Sequence, residues 1–76
     1  KQSEIIFDYM LNNLRLISGF KETHFEDFTN ISFNIIEQKL VKLKRLGLMQ
    51  NDGEQCWQLT ALGLRFLDDA QAEFLP

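Results

Sequence analysis

Seventy-six residues hold one domain and leave no room for a second. With 45% hydrophobic residues, seven Phe and one Trp, the chain is too apolar for a disordered tail and rich enough for one small core. The formal charge of −3 and the single cysteine, Cys56, exclude a generally basic nucleic-acid binder and an internal disulfide.

A chain of this length buries only about 60% of the surface its unfolded form exposes, so marginal stability is expected. No basic-then-apolar leader opens the sequence, and no apolar run approaches the ~20 residues of a membrane span. A cytoplasmic location is the expectation. The charge is unevenly distributed. Lys39, Lys42, Lys44 and Arg45 face only Glu37 within residues 31–47, whereas the flanking segments are acidic.

The first predicted element is a helix over 4–17, with Ser3 as its N-cap and Ser18-Gly19 as its stop. Glu4, Asp8, Asn12 and Arg15 form one narrow polar stripe, and apolar residues occupy nearly all the rest. That face is wider than one small core can cover. Phe7, Tyr9, Leu11 and Leu16 are therefore candidate docking residues for a partner surface, with Arg15 as a candidate interdomain ion-pairing group. Thr23-His24-Phe25-Glu26 matches a capping box and opens a short helix, with Phe25 and Phe28 directed inward and Thr29-Asn30 closing it.

Ser32 is expected to cap a helix over 33–46. Its core stripe is Phe33, Ile36, Leu40 and Leu43, widened by Ile35 and Leu46, and Gly47 ends it. Lys39 falls inside the apolar arc as a snorkelling side chain. Ser32, Asn34, Gln38, Lys42 and Arg45 lie on the opposite face. In a DNA-binding protein they would be the reading face, with Lys and Arg on phosphates and Asn or Gln on base edges. Strands over 48–51 and 54–59 flank an Asp52-Gly53 two-residue turn, with Trp57 covering the core. Acidic Asp52 and Glu54 stand at the tip, where a winged DNA binder would carry Lys or Arg, so nucleic acid is disfavoured as a partner. Thr60 caps a last helix over 61–75 with Leu62, Phe66, Ala70 and Phe74 inside. Close packing is expected at Gly63, and an exposed Arg65–Asp69 pair is worth about 0.3 kcal/mol.

This order predicts an α+β, mostly helical, winged-helix-like domain over 1–76, with three helices, a two-stranded hairpin wing and a C-terminal helix. Two residues could carry chemistry. His24, the only histidine, reads most plainly as a first-turn residue beside Thr23. Cys56 has no basic neighbour in sequence to activate its thiol and reads as half packed. No carboxylate pair, Ser-His-Asp set, phosphate loop or zinc spacing is present, so no enzymatic role is expected of these residues.

Several short segments together resemble a known family. Asn13-Leu14-Arg15-Leu16-Ile17-Ser18-Gly19-Phe20 is similar to the LRL-x-x-G element that opens the C-terminal domain of oxygen-independent coproporphyrinogen III oxidase-like proteins. Phe25-Glu26-Asp27-Phe28 resembles the acidic-aromatic helix that follows there. Leu46-Gly47-Leu48-Met49 and Trp57-Gln58-Leu59-Thr60-Ala61-Leu62-Gly63 resemble its GLL and LT-x-x-G steps. Phe66-Leu67-Asp68-Asp69 resembles its FLND ending, with Asp68 where Asn is common. The middle steps are shared with winged-helix regulators, and the outer two make the resemblance specific, closest to the haem-chaperone branch.

The resemblance implies an accessory C-terminal domain of a larger protein of porphyrin biosynthesis and haem metabolism. Its partner would be an upstream radical S-adenosylmethionine barrel in the same polypeptide. The parent would bind a 4Fe-4S cluster and S-adenosylmethionine, and porphyrin or haem, for whose iron His24 is the one candidate ligand in this chain. None of these cofactors is expected on this chain, since the cluster needs three cysteines and only Cys56 is present. The alternative reading is the winged-helix DNA-binding domain of a transcriptional regulator.

Overall fold

The computed structural model describes residues 1–53 and 55–76. The order of elements is α1 (Gln2–Asn13), β1 (Phe20–Lys21), α2 (Glu22–Thr29), α3 (Asn34–Arg45), β2 (Met49–Asn51), β3 (Cys56–Leu59), α4 (Ala61–Arg65) and α5 (Leu67–Ala72). The three strands form one antiparallel sheet in the order β1-β3-β2. A helix, a strand, two helices and a hairpin that recruits the first strand make a winged helix, α+β and mostly helical as expected. The expected two-stranded wing is a three-stranded sheet. At two residues, β1 is too short to show an alternating pattern, and it exists only through its pairing of Phe20 with Trp57 and Lys21 with Cys56.

That pairing also explains why α1 is shorter than the predicted 4–17. The helix starts at Gln2, so Ser3 lies inside it rather than capping it, and it ends at Asn13. The amide nitrogens of Asn12 and Asn13 donate to the carbonyls of Asp8 and Tyr9 at 3.0 and 2.9 Å, the local competition that weakens Asn as a helix former. The chain then turns over 14–18 to bring Phe20 onto the sheet. Gly19 makes the turn possible. Its φ is +76°, and a Cβ there would overlap the Trp57 carbonyl.

The capping box expected at Thr23 is not formed. Lys21 is already extended in β1, so α2 begins at Glu22, and Glu26 does not reach back. Its carboxylate instead accepts from the Phe33 N–H at 2.7 Å, joining α2 to the start of α3. Glu22 accepts from the Trp57 indole N–H at 2.9 Å, joining α2 to β3. Asn30 ends α2 in the left-handed conformation, with φ 60°. Helix α3 matches its expected stripe: Phe33, Ile36, Leu40 and Leu43 are all buried. Ile35 and Leu46 do not widen it, and both stand in solvent. Lys39 holds its ammonium 5.9 Å from the Phe74 ring centre, the snorkelling position.

The hairpin departs from the two-residue turn. Asn51 pairs with Trp57, Gln50 with Gln58 and Met49 with Leu59. An Asp52-Gly53 turn would instead have paired Met49 with Cys56 and placed Met49 and Trp57 on opposite faces. Burial of Met49, Trp57 and Leu59 together selects the wider loop, because a shift of odd register inverts the faces. Asn51 Oδ1 accepts from the Gly53 N–H at 2.8 Å, and Gln55 takes φ 62° to close the loop. The expected strand start and acidic tip at Glu54 lie outside the described residues.

The single C-terminal helix divides at Phe66, whose φ of −115° and ψ of 39° are not helical. Thr60 caps α4 as expected, accepting from the Gly63 N–H at 3.0 Å. Gly63 packs so closely that a Cβ would overlap the Leu48 carbonyl. The break separates two packing tasks: α4 lies on the hairpin and α5 on α1, where Ala70 and Phe74 are buried. Leu62 and Phe66, expected inside, are exposed. Among the described residues the ion pairs are the N-terminal ammonium with Glu4 and Lys42 with Glu73, and the expected Arg65–Asp69 pair is not formed.

Candidate functional site

Helices α1 and α2 meet over an aromatic cluster with Tyr9 at its centre. Its ring lies edge-on to Phe20 at 5.6 Å and to Phe25 at 5.0 Å between centroids. Its hydroxyl is 2.7 Å from His24 Nδ1. Burial pushes the Tyr9 phenol up to about 12, so it stays protonated in this contact. The outer face of His24 stacks on Phe28, with centroids 6.0 Å apart and planes inclined by 26°.

Between the two helices runs a groove of about 560 Å³, lined by Ile5, Asp8, Tyr9, Asn12, Asn13, His24 and Phe28. Across Asn13 and His24 it borders a second depression of about 370 Å³ that reaches Leu16, Gly19, Lys21 and Cys56. Cys56 is half-buried, and its thiol donates to the Ser18 carbonyl at 3.6 Å.

The candidate docking residues do not form one patch. Tyr9, 2% exposed, belongs to the core, and Phe7 is half-buried against it. Leu11 is 37% exposed on the α5 side of α1, where its carbonyl accepts from Gln71. Leu16, 43% exposed, and Arg15 sit on the turn after α1, so Arg15 has left the stripe of Glu4, Asp8 and Asn12. The sequence reading missed two strongly exposed apolar groups, Phe28 at 73% and Ile17 at 87%. The i, i+3 spacing with Phe25 predicts an inward Phe28, but the buried face of α2 is made by Phe25 and Thr29.

The face formed by Ser32, Asn34, Gln38, Lys42 and Arg45 is exposed along α3. Lys42 is partly engaged there, 3.1 Å from Glu73 on α5. No group of three or more His, Cys, Asp or Glu among the described residues could hold a metal ion. An iron–sulfur cluster does not fit this chain, which has one cysteine. Among the described residues no helix is long and apolar enough to cross a membrane.

Fold and surface together define a winged-helix domain with an aromatic groove between α1 and α2. Over 70 residues the chain is 33% identical to the heme chaperone HemW of Buchnera aphidicola subsp. Acyrthosiphon pisum (strain APS). The alignment covers 92% of this chain and 18% of that protein. No family model matches, and no solved structure matches. That similarity agrees with the resemblance of the short segments above to oxygen-independent coproporphyrinogen III oxidase-like proteins, on the side of their haem chaperones.

Proposed function

We propose that this chain is the C-terminal accessory domain of a longer, cytoplasmic haem-metabolism protein and packs on a radical S-adenosylmethionine barrel of the same polypeptide. The observation that carries this reading is the lopsided match: nearly all of this chain aligns with less than a fifth of a heme chaperone. The cluster and S-adenosylmethionine would then be held by the barrel, since one cysteine cannot supply the thiolates. Porphyrin or haem would be handled by the parent protein. Exposed Leu11, Arg15 and Leu16, and half-buried Phe7, are the residues through which the domain would pack. Tyr9 contributes from inside by fixing α1 against α2.

The test is association of the chain with the separately produced barrel. Leu11→Ser and Leu16→Ser each remove an apolar contact, and each should weaken binding by about tenfold, equivalent to ~1.4 kcal/mol. Binding that is unchanged in both variants, with the fold retained, would rule out packing through these residues.

A further inference from the structure

We propose that the groove between α1 and α2 seats a basic, apolar segment from the remainder of the parent polypeptide, which rests on the accessory-domain reading above. The groove is apolar at its two lips, Ile5 and Phe28, both of which stand in solvent. One side of the Phe28 ring stacks on His24, and the exposed remainder of the ring can receive an apolar group or a cation.

The polar groups between the lips are mostly acceptors. The amide nitrogens of Asn12 and Asn13 are already committed to backbone carbonyls, leaving their oxygens without that task. Asp8 adds a carboxylate that forms no ion pair with any described residue. The further polar group is His24 Nε2, since Nδ1 is occupied by Tyr9.

Within the two helices that form the groove the charge has one sign, while Lys21, just before α2, lines the adjoining depression. Helix α1 carries Glu4 and Asp8, α2 carries Glu22, Glu26 and Asp27, and neither carries Lys or Arg. Two apolar lips, an acceptor-rich floor and an acidic surround fit an Arg or Lys flanked by apolar side chains, which would bring the missing donors and offset the charge. Such a segment has room to exist, since the match spans only 18% of the related chaperone.

Hydroxyl-radical footprinting of the full-length protein beside the isolated chain tests this. Expected is a loss of oxidation at Phe28 and Ile5 in the full-length protein, to the level of buried Phe25. Asp8→Lys, an exposed substitution, should restore it, as should high salt. Protection at Leu11 and Leu16 with Phe28 still reactive would leave the accessory reading standing and overturn this one. Protection of Phe28 indifferent to salt and to Asp8→Lys would overturn the basic segment. Full reactivity at all four positions would overturn both.

Discussion

Tyr9 joins three kinds of interaction in one side chain: burial of the ring, edge-on contacts to Phe20 and Phe25, and a hydroxyl hydrogen-bonded to His24. As the only tyrosine it reports on its own environment. Its proton is held to about 12 in the folded state because burial disfavours the phenolate. Below pH about 10 both folded and unfolded chains keep that proton, and the native contribution is complete. Between about 10 and about 12 the unfolded chain releases it and the folded chain does not, so stability must fall as pH rises through that window. The urea midpoint should therefore be lower at pH about 11 than at pH about 9, with phenolate absorbance appearing together with unfolding. Phenolate appearing near 10 with the fold intact would contradict this burial. Phe25 and Phe28 make a second contrast, three residues apart on α2 but buried and exposed respectively. Phe25→Ala should cost about 3–5 kcal/mol, enough to unfold a domain whose total stability is about 5 kcal/mol. Phe28→Ala should change the melting profile by no more than the ~0.5 kcal/mol typical of surface positions. Circular dichroism melts of the two variants separate these outcomes.

Among the elements, α4 is the most constrained. It has five residues, a Thr60 cap and one glycine pressed on the Leu48 carbonyl. On helix propensity alone Gly63→Ala would stabilise by about 1 kcal/mol. Here the added methyl meets backbone, which cannot rotate away, and overpacking costs of about 1–3 kcal/mol should dominate. A lowered urea midpoint for Gly63→Ala is the expected result, whereas a raised one would show that α4 can move off the hairpin. Thr60 also donates to the Gly47 carbonyl at 2.6 Å, so the same residue ties the end of α3 to the start of α4.

At the scale of the molecule, a Cα radius of gyration of 11.1 Å encloses one core to which all three early helices, the sheet and α5 contribute. Charge divides across it. The α1–α2 side is acidic, and α3 is basic through Lys39, Lys42, Lys44 and Arg45. Winged helices that bind DNA need several phosphate contacts in concert, and here Lys42 is shared with Glu73 while the chain as a whole is acidic. Adding duplex DNA at low salt should leave the amide chemical shifts of Ser32, Asn34, Gln38, Lys42 and Arg45 unmoved. Shifts that vanish with salt would revive the regulator reading. The same division of charge is why the α1–α2 groove suits a basic occupant.

Local patterns determined much of this protein. The α3 stripe of Phe33, Ile36, Leu40 and Leu43, the Thr60 cap and the close packing at Gly63 were all legible, because each follows from helical period or from contacts within a few residues. The family resemblance was legible for the same reason, being carried by short runs of neighbouring residues. Only the tertiary structure decided the rest. Strand β1 has no pattern of its own and forms because Phe20 meets Trp57. The hairpin register follows from the need to bury Met49, Trp57 and Leu59 on one face. The early end of α1, the break at Phe66 and the outward turn of Phe28 follow from which partner each segment has to reach. These are pairings across long stretches of chain, and their energies depend on surfaces that come together only when the core closes. The groove belongs to this second class: its walls come from α1 and α2, and its existence depends on Tyr9 reaching His24 across the gap between them.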